Sequence, residues 1–172
     1  MRETKNYLGF VMLTPVEELK IQAKRLLKQR FVPSTSLVLS TNGPLQLKHC
    51  QLFIARQYGF RDWEHARQVL SCEYGSLALD CGGFWYARGC AVLLNSWCRD
   101  HQEALEVKAK LGGVVLPYKT QFVVANKDYF DAIGLDYEEP LWRELDYDWS
   151  SGAKEVRQAL ALQRVTANSK LL

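Results

Sequence analysis

The sequence predicts an α+β fold: an N-terminal helical hairpin unit, then a small β-sheet in strand–helix–strand–strand order with covering helices. Three observations point there. Apolar residues recur at helical spacing through residues 14–70. After Cys72 the composition shifts toward aromatic and apolar runs. Two capping-box patterns, Thr14-Pro15-Val16-Glu17 and Asp100-His101-Gln102-Glu103, mark helix starts on either side of that shift. The expected division is a helical unit over 1–75 and a small α+β unit over 76–172. Apolar residues at 48% and charged residues at 24% suit a globular chain able to bury a core without metals or disulfides.

The elements follow in order. Thr14 caps a first helix, with Pro15 at its first position and Val16, Leu19, Ala23, Leu26 and Leu27 on one face. Pro33 and the serines after it end that helix. Leu37-Val38-Leu39 reads as extended and Thr41-Asn42-Gly43-Pro44 as a turn. A second helix is expected from about Leu45 to Tyr58, stopped by Gly59 in the left-handed conformation. Asp62 caps a third, running to about Cys72, with Trp63 filling the hairpin core. Phe84 to Leu94 suits a strand. His101 to Leu111 is a helix closed by Gly112-Gly113. Val114 to Leu116 and Gln121 to Ala125 are strands. Short helices at Tyr129–Ile133 and Pro140–Leu145 precede a last one from Ser151 to about Val165.

Part of the helical unit carries a resemblance. Leu47, His49, Gln51, Ala55 and the run Gly59-Phe60-Arg61-Asp62-Trp63 match the pattern L-x-H-x-Q, Ala, G-[FY]-R-D-W, and Leu19-Lys20 through Leu26 match an upstream L-K-x-x-A-K-R-L string. Residues 14–70 thereby resemble a helical module of bacterial proteins labelled glyoxalase-related. The resemblance implies the helical shape. The glyoxalase label belongs to a separate domain of paired βαβββ units with His and Glu metal ligands. Residues 84–125 suit one such unit and carry no such ligand set.

Charge is divided along the chain. Residues 1–72 hold eleven Lys and Arg against five Asp and Glu, a net +6; residues 73–172 hold eleven against fourteen, a net −3. Two function classes follow. The leading reading is a non-catalytic bacterial adaptor or regulatory protein that binds another macromolecule, expected to be a protein because acidic groups surround aromatic anchors, through Tyr137, Glu138, Glu139, Trp142, Glu144, Asp146, Asp148 and Trp149. The alternative is nucleic-acid binding through Lys20, Lys24, Arg25, Lys28 and Arg61. The Gly-turn between the second and third helices suggests a helix-turn-helix, but His65 and Gln68 stand where its second helix needs apolar residues, so a core-building hairpin is preferred.

An enzyme ranks third, because no nucleophile–base pair, metal set or phosphate loop is complete. Cys98 and His101 bring a thiol near an imidazole without an orienting third group. Asp146-Tyr147-Asp148 offers hard oxygens for a cation, but neither a metal nor another cofactor is expected. The five cysteines are odd in number and form no C-x-x-C pair, so free thiols in the cytoplasm are expected. The polar stretch Met1–Tyr7 and the lack of a ~20-residue apolar run predict neither a secretion signal nor a membrane span.

Overall fold

The computed structural model describes residues 13–29, 44–73, 75, 77 and 79–168. The extended run at 37–39, the first three residues of the turn at 41–44, and Arg30 lie outside them. Among the described residues are seven α-helices and three short strands: α1 (Pro15–Gln29), α2 (Leu47–Gln57), α3 (Trp63–Leu70), β1 (Ser96–Cys98), α4 (His101–Leu111), β2 (Val114–Tyr118), β3 (Gln121–Ala125), α5 (Lys127–Ile133), α6 (Leu141–Glu144) and α7 (Lys154–Asn168). The fold is α+β with an N-terminal helical part.

The helix ends are set by local chemistry. Thr14 Oγ1 accepts from Glu17 N at 3.2 Å, and Glu17 Oε2 accepts from Thr14 N at 2.8 Å, closing the capping box. Asp62 and Asp100 each accept an amide three residues on, at 2.8 and 2.9 Å. Gly59 and Gly134 stop α2 and α5 at φ +79° and +73°.

The strand order is β1-β3-β2, all antiparallel. The expected strand over Phe84–Leu94 is absent. That segment forms turns and a 3-10 helix at Arg88–Val92, and the first strand is Ser96–Cys98. The reason is the burial pattern: the adjacent Phe84 and Trp85 are both buried, whereas Val92 and Leu94 are 87% and 100% exposed, so inside and outside do not alternate as a strand requires. The register puts Cys98, Val115, Phe122 and Val124 on one sheet face, against Ala104 and Leu105 of α4. Trp97, Val123, Leu116 and Tyr118 share the opposite face, which covers the main core except at the β1 edge.

The boundary expected near residue 75 does not separate two cores. One cluster runs from Leu19, Ile54 and Phe60 through Phe84 and Trp85 to Leu160 and Val165. Phe60 stacks on Phe84 with centroids 5.4 Å apart. Trp63 takes a marginal place instead of filling the hairpin, because it is the first residue of α3 and Phe60 already occupies the interior. The closest join is backbone on backbone. Gly83 N donates to Gly59 O at 2.9 Å, and a Cβ on Gly59 would sit 2.7 Å from the Gly83 carbonyl carbon.

The acidic–aromatic stretch is corrected most. Trp142 and Trp149 are buried, at 1% and 0% exposure, with their rings 5.8 and 5.2 Å from that of Trp85. Asp148 is buried too. These three belong to the core and offer nothing to an external partner. Large apolar rings leave water at ~25 cal/mol per Å², which draws them inward while neighbouring carboxylates stay solvated. Glu138, Glu144 and Asp146 are exposed, and Tyr137 and Glu139 are half-buried.

Two outcomes are expected in denaturant melts. Gly59→Ala should cost about 2–4 kcal/mol, since it adds a backbone clash to the left-handed strain. Gly134→Ala, where a Cβ would meet nothing within 4 Å, should cost only the strain, about 1–2 kcal/mol. Trp142→Ala should cost about 3–5 kcal/mol, the range for a buried aromatic, whereas Glu144→Lys on the same helix should change stability by less than about 0.5 kcal/mol.

Candidate functional site

A groove of about 810 Å³ lies where the ends of α2, α5 and α7 meet the loop before the 3-10 helix. Its lining includes Arg56, Arg88 and Arg164, the tyrosines Tyr58, Tyr86 and Tyr118, and the backbone of Gly59, Gly83 and Gly134. Asp131 is the carboxylate on that lining, and it is engaged by Lys127 at 3.2 Å. The groove is therefore cationic with aromatic walls.

Arg164 sits at its inner side, 4% exposed. Nε donates to Phe84 O at 3.3 Å, Nη1 to Ile133 O at 2.5 Å and Nη2 to Tyr86 O at 3.2 Å. A guanidinium has five N–H donors, and these three bonds use three. Burial lowers its pKa, but the group stays charged at neutral pH. One residue on, Val165 O accepts from the Tyr58 hydroxyl at 2.8 Å, and Gln22 Oε1 lies 3.1 Å from the Tyr58 hydroxyl oxygen. Burial raises the Tyr58 and Tyr129 phenols, so both remain protonated hydrogen-bond donors; Tyr129 donates to Trp85 O at 2.8 Å. Exposed Arg56 and Arg88 carry the outer positive charge.

The basic residues read from the sequence are placed differently. Lys20, Lys24, Arg25 and Lys28 are exposed along α1. Arg61 is exposed beside Asp62, with Nε 3.4 Å from the carboxylate. Its carbonyl accepts from Arg56 Nε at 3.4 Å, which links it to the groove rim. Arg61 N–H donates to His65 Nδ1 at 3.1 Å, so the ring proton sits on Nε2 and is donated to Asp80 O at 2.6 Å.

Of the acidic–aromatic set, Tyr137, Glu138 and Glu139 line a separate cavity of about 250 Å³ with Lys108, Arg143 and Tyr147. Glu139 is committed to Gln163 Nε2 at 3.1 Å and Leu141 N at 3.4 Å. Asp146 and Asp148 diverge. Lys108 binds Asp146 through its carbonyl and carboxylate, while Asp148 accepts from Ser150 N at 2.8 Å and Ser151 Oγ at 2.6 Å and meets His101 Nε2 at 2.7 Å. They form no shared cation site. Among the described residues no group of three or more His, Cys, Asp or Glu gathers as a metal site, and no helix is long and apolar enough to cross a membrane.

Cys98 and His101 are not a nucleophile–base pair. Cys98 is buried, its thiol faces Ser96 O, and burial pushes its pKa up. All five cysteines are buried. No protein-family profile, curated protein or solved structure matches the chain. The resemblance of residues 14–70 therefore rests on its own motif residues.

The sequence carried a sign of Arg164 alone and not of the groove: it stands on the stripe of α7 that also bears Leu160, Ala161 and Val165, which places a cation on a buried face. Arg56, Arg88 and Tyr118 come from unrelated elements, and no local pattern joins them.

The thiols give a pH prediction. Burial raises Cys72 to about 11 and Cys81 to about 12, against an ordinary value of 9.0. The unfolded chain then loses these protons first. Their contribution to stability is full below about pH 9 and falls as pH rises from there toward 12. Urea melts between pH 8 and 11 should show that decline, and it should shrink in Cys81→Ala. Native protein should resist a thiol reagent at pH 8 and titrate five thiols once unfolded.

Proposed function

We propose that the chain is a non-enzymatic binding protein whose ligand is nucleic acid, held through its phosphates in the arginine-lined groove. One observation carries this reading: three arginines converge on a single open groove whose lining carboxylate already has a lysine partner. Phosphate recognition needs cations, and guanidinium groups match phosphate oxygens in fork geometry. The exposed Lys20, Lys24, Arg25 and Lys28 add a second basic strip along α1 that would strengthen capture of a polyanion. Buried, proton-holding thiols favour binding over cysteine-based catalysis.

A protein partner is the second reading, favoured by the cavity between Tyr137, Glu138 and Tyr147, which keeps aromatic walls and an exposed carboxylate.

Fluorescence anisotropy with a labelled mixed-sequence oligonucleotide tests the first reading. Affinity should fall linearly with salt on logarithmic axes, and Arg88→Glu should cut it at least about tenfold and flatten the slope by ~1. The Lys20, Lys24 and Lys28 triple change to Glu should weaken it further. Circular dichroism should be unchanged in both variants, since all four residues are exposed. Native protein that fails to bind at low salt, or Arg88→Glu that binds like the parent, overturns the proposal.

A further inference from the structure

Beside the arginines lies a second feature that charge alone does not explain. Tyr86, Trp97 and Tyr118 form an aromatic cluster, with ring centroids 5.2 Å apart for Tyr86–Tyr118, 5.1 Å for Trp97–Tyr118 and 6.3 Å for Tyr86–Trp97. Tyr86 and Tyr118 line the arginine groove, and Trp97 extends the cluster beyond it. Lys119 Nζ lies 5.3 Å from the Tyr118 ring centre. Trp97 is 42% exposed, although Trp85, Trp142 and Trp149 are all buried to 1% or less.

The geometry of the sheet explains why Trp97 is left outside. Its partner in the register is Val123, on the face that covers the core. β1 is the edge strand and only three residues long, so at Trp97 the covering segments run out. An indole at such an edge forgoes part of its burial. The edge places it in contact with two groove tyrosines.

We infer that this cluster is a stacking platform for unpaired bases, so that the nucleic acid bound in the groove is single-stranded. The inference rests on the nucleic-acid reading above and adds the strand state. In a duplex the base faces are covered by their neighbours, and only groove edges and phosphates are open to a protein. An aromatic cluster next to a cationic groove matches the pairing that single strands require: faces to stack on and cations for the backbone. Arg164 contributes by geometry, because its Nη2 bond to Tyr86 O fixes the backbone that presents the first ring. Lys119 over Tyr118 adds a cation beside the platform.

The test compares a labelled oligothymidylate of about twelve nucleotides, within the site size of such grooves, with a duplex of the same length and with thymidine monophosphate as competitor. The full chain should prefer the single strand at least about tenfold, and tryptophan fluorescence should be quenched on binding. Trp97→Ala should lose about tenfold in single-strand affinity and most of the quench, with an unchanged melting temperature. Trp97→Phe should restore much of the affinity, which separates stacking from fold damage. Equal or tighter duplex binding, with Trp97→Ala behaving like the parent, overturns this inference and leaves the nucleic-acid reading standing. Failure to bind either form overturns both. Monophosphate binding as tight as that of the oligomer also overturns it, in favour of a small-molecule site.

Discussion

The architecture depends on one turn of α7. At Arg164 a buried guanidinium gathers three carbonyl oxygens from two distant segments, the loop at 84–86 and the end of α5. At Val165 the next carbonyl takes the Tyr58 hydroxyl from the end of α2. A charge without a carboxylate partner is costly in a protein interior, and hydrogen bonds to carbonyl dipoles offset that cost. Carbonyls that would otherwise lack donors among apolar side chains are satisfied at the same time. The helical part and the sheet part are thereby held to the same helix, and their side chains merge into one core.

The aromatic residues divide according to this frame. Trp85 occupies the centre, edge-on to Trp142 and Trp149, and the Trp149 indole N–H reaches Arg157 O at 3.0 Å. Around them the chain makes a tight corner, with Asp146 and Tyr147 both at positive φ. That corner is fastened from α4 by Lys108 on Asp146 and His101 on Asp148, and from β2 by Val115 N donating to Tyr147 O at 2.8 Å. The acidic groups of this stretch thus serve a turn as much as a surface. Interior demand was met by Trp85, Trp142 and Trp149, and the rings of Tyr86 and Tyr118 were left to the groove, with Trp97 beside it.

Local signals in the sequence were read well where the determinant is itself local. Thr14, Asp62 and Asp100 cap the helices they were expected to cap, and α4, with its Gly112-Gly113 end, falls on the expected residues. Gly59 and Gly134 stop their helices through a backbone preference that needs no partner. What failed was anything decided by distant contacts. Phe84 to Leu94 has strand composition, but its first two residues are both drawn into the core and its end is left exposed, which no alternating strand can satisfy. Trp142 and Trp149 resemble interface anchors in composition, and only the position of Trp85 across the core shows that they are interior. The arginine groove is illegible for the same reason. Its residues come from α2, the 3-10 helix and α7, and their convergence is a property of the fold rather than of any window of sequence.

The contact between Gly59 and Gly83 bears on how portable the helical pair is. Two helices joined by a Gly-Phe turn leave a notch into which a second backbone fits without a side chain between. The pair is in this sense a socket, and the Gly82-Gly83 loop is its plug. A different downstream segment could be joined to the same helices if it carried a plug of equal thinness and a ring to lie on Phe60 as Phe84 does. The unit that travels is then the helical pair together with a rule about what may touch it.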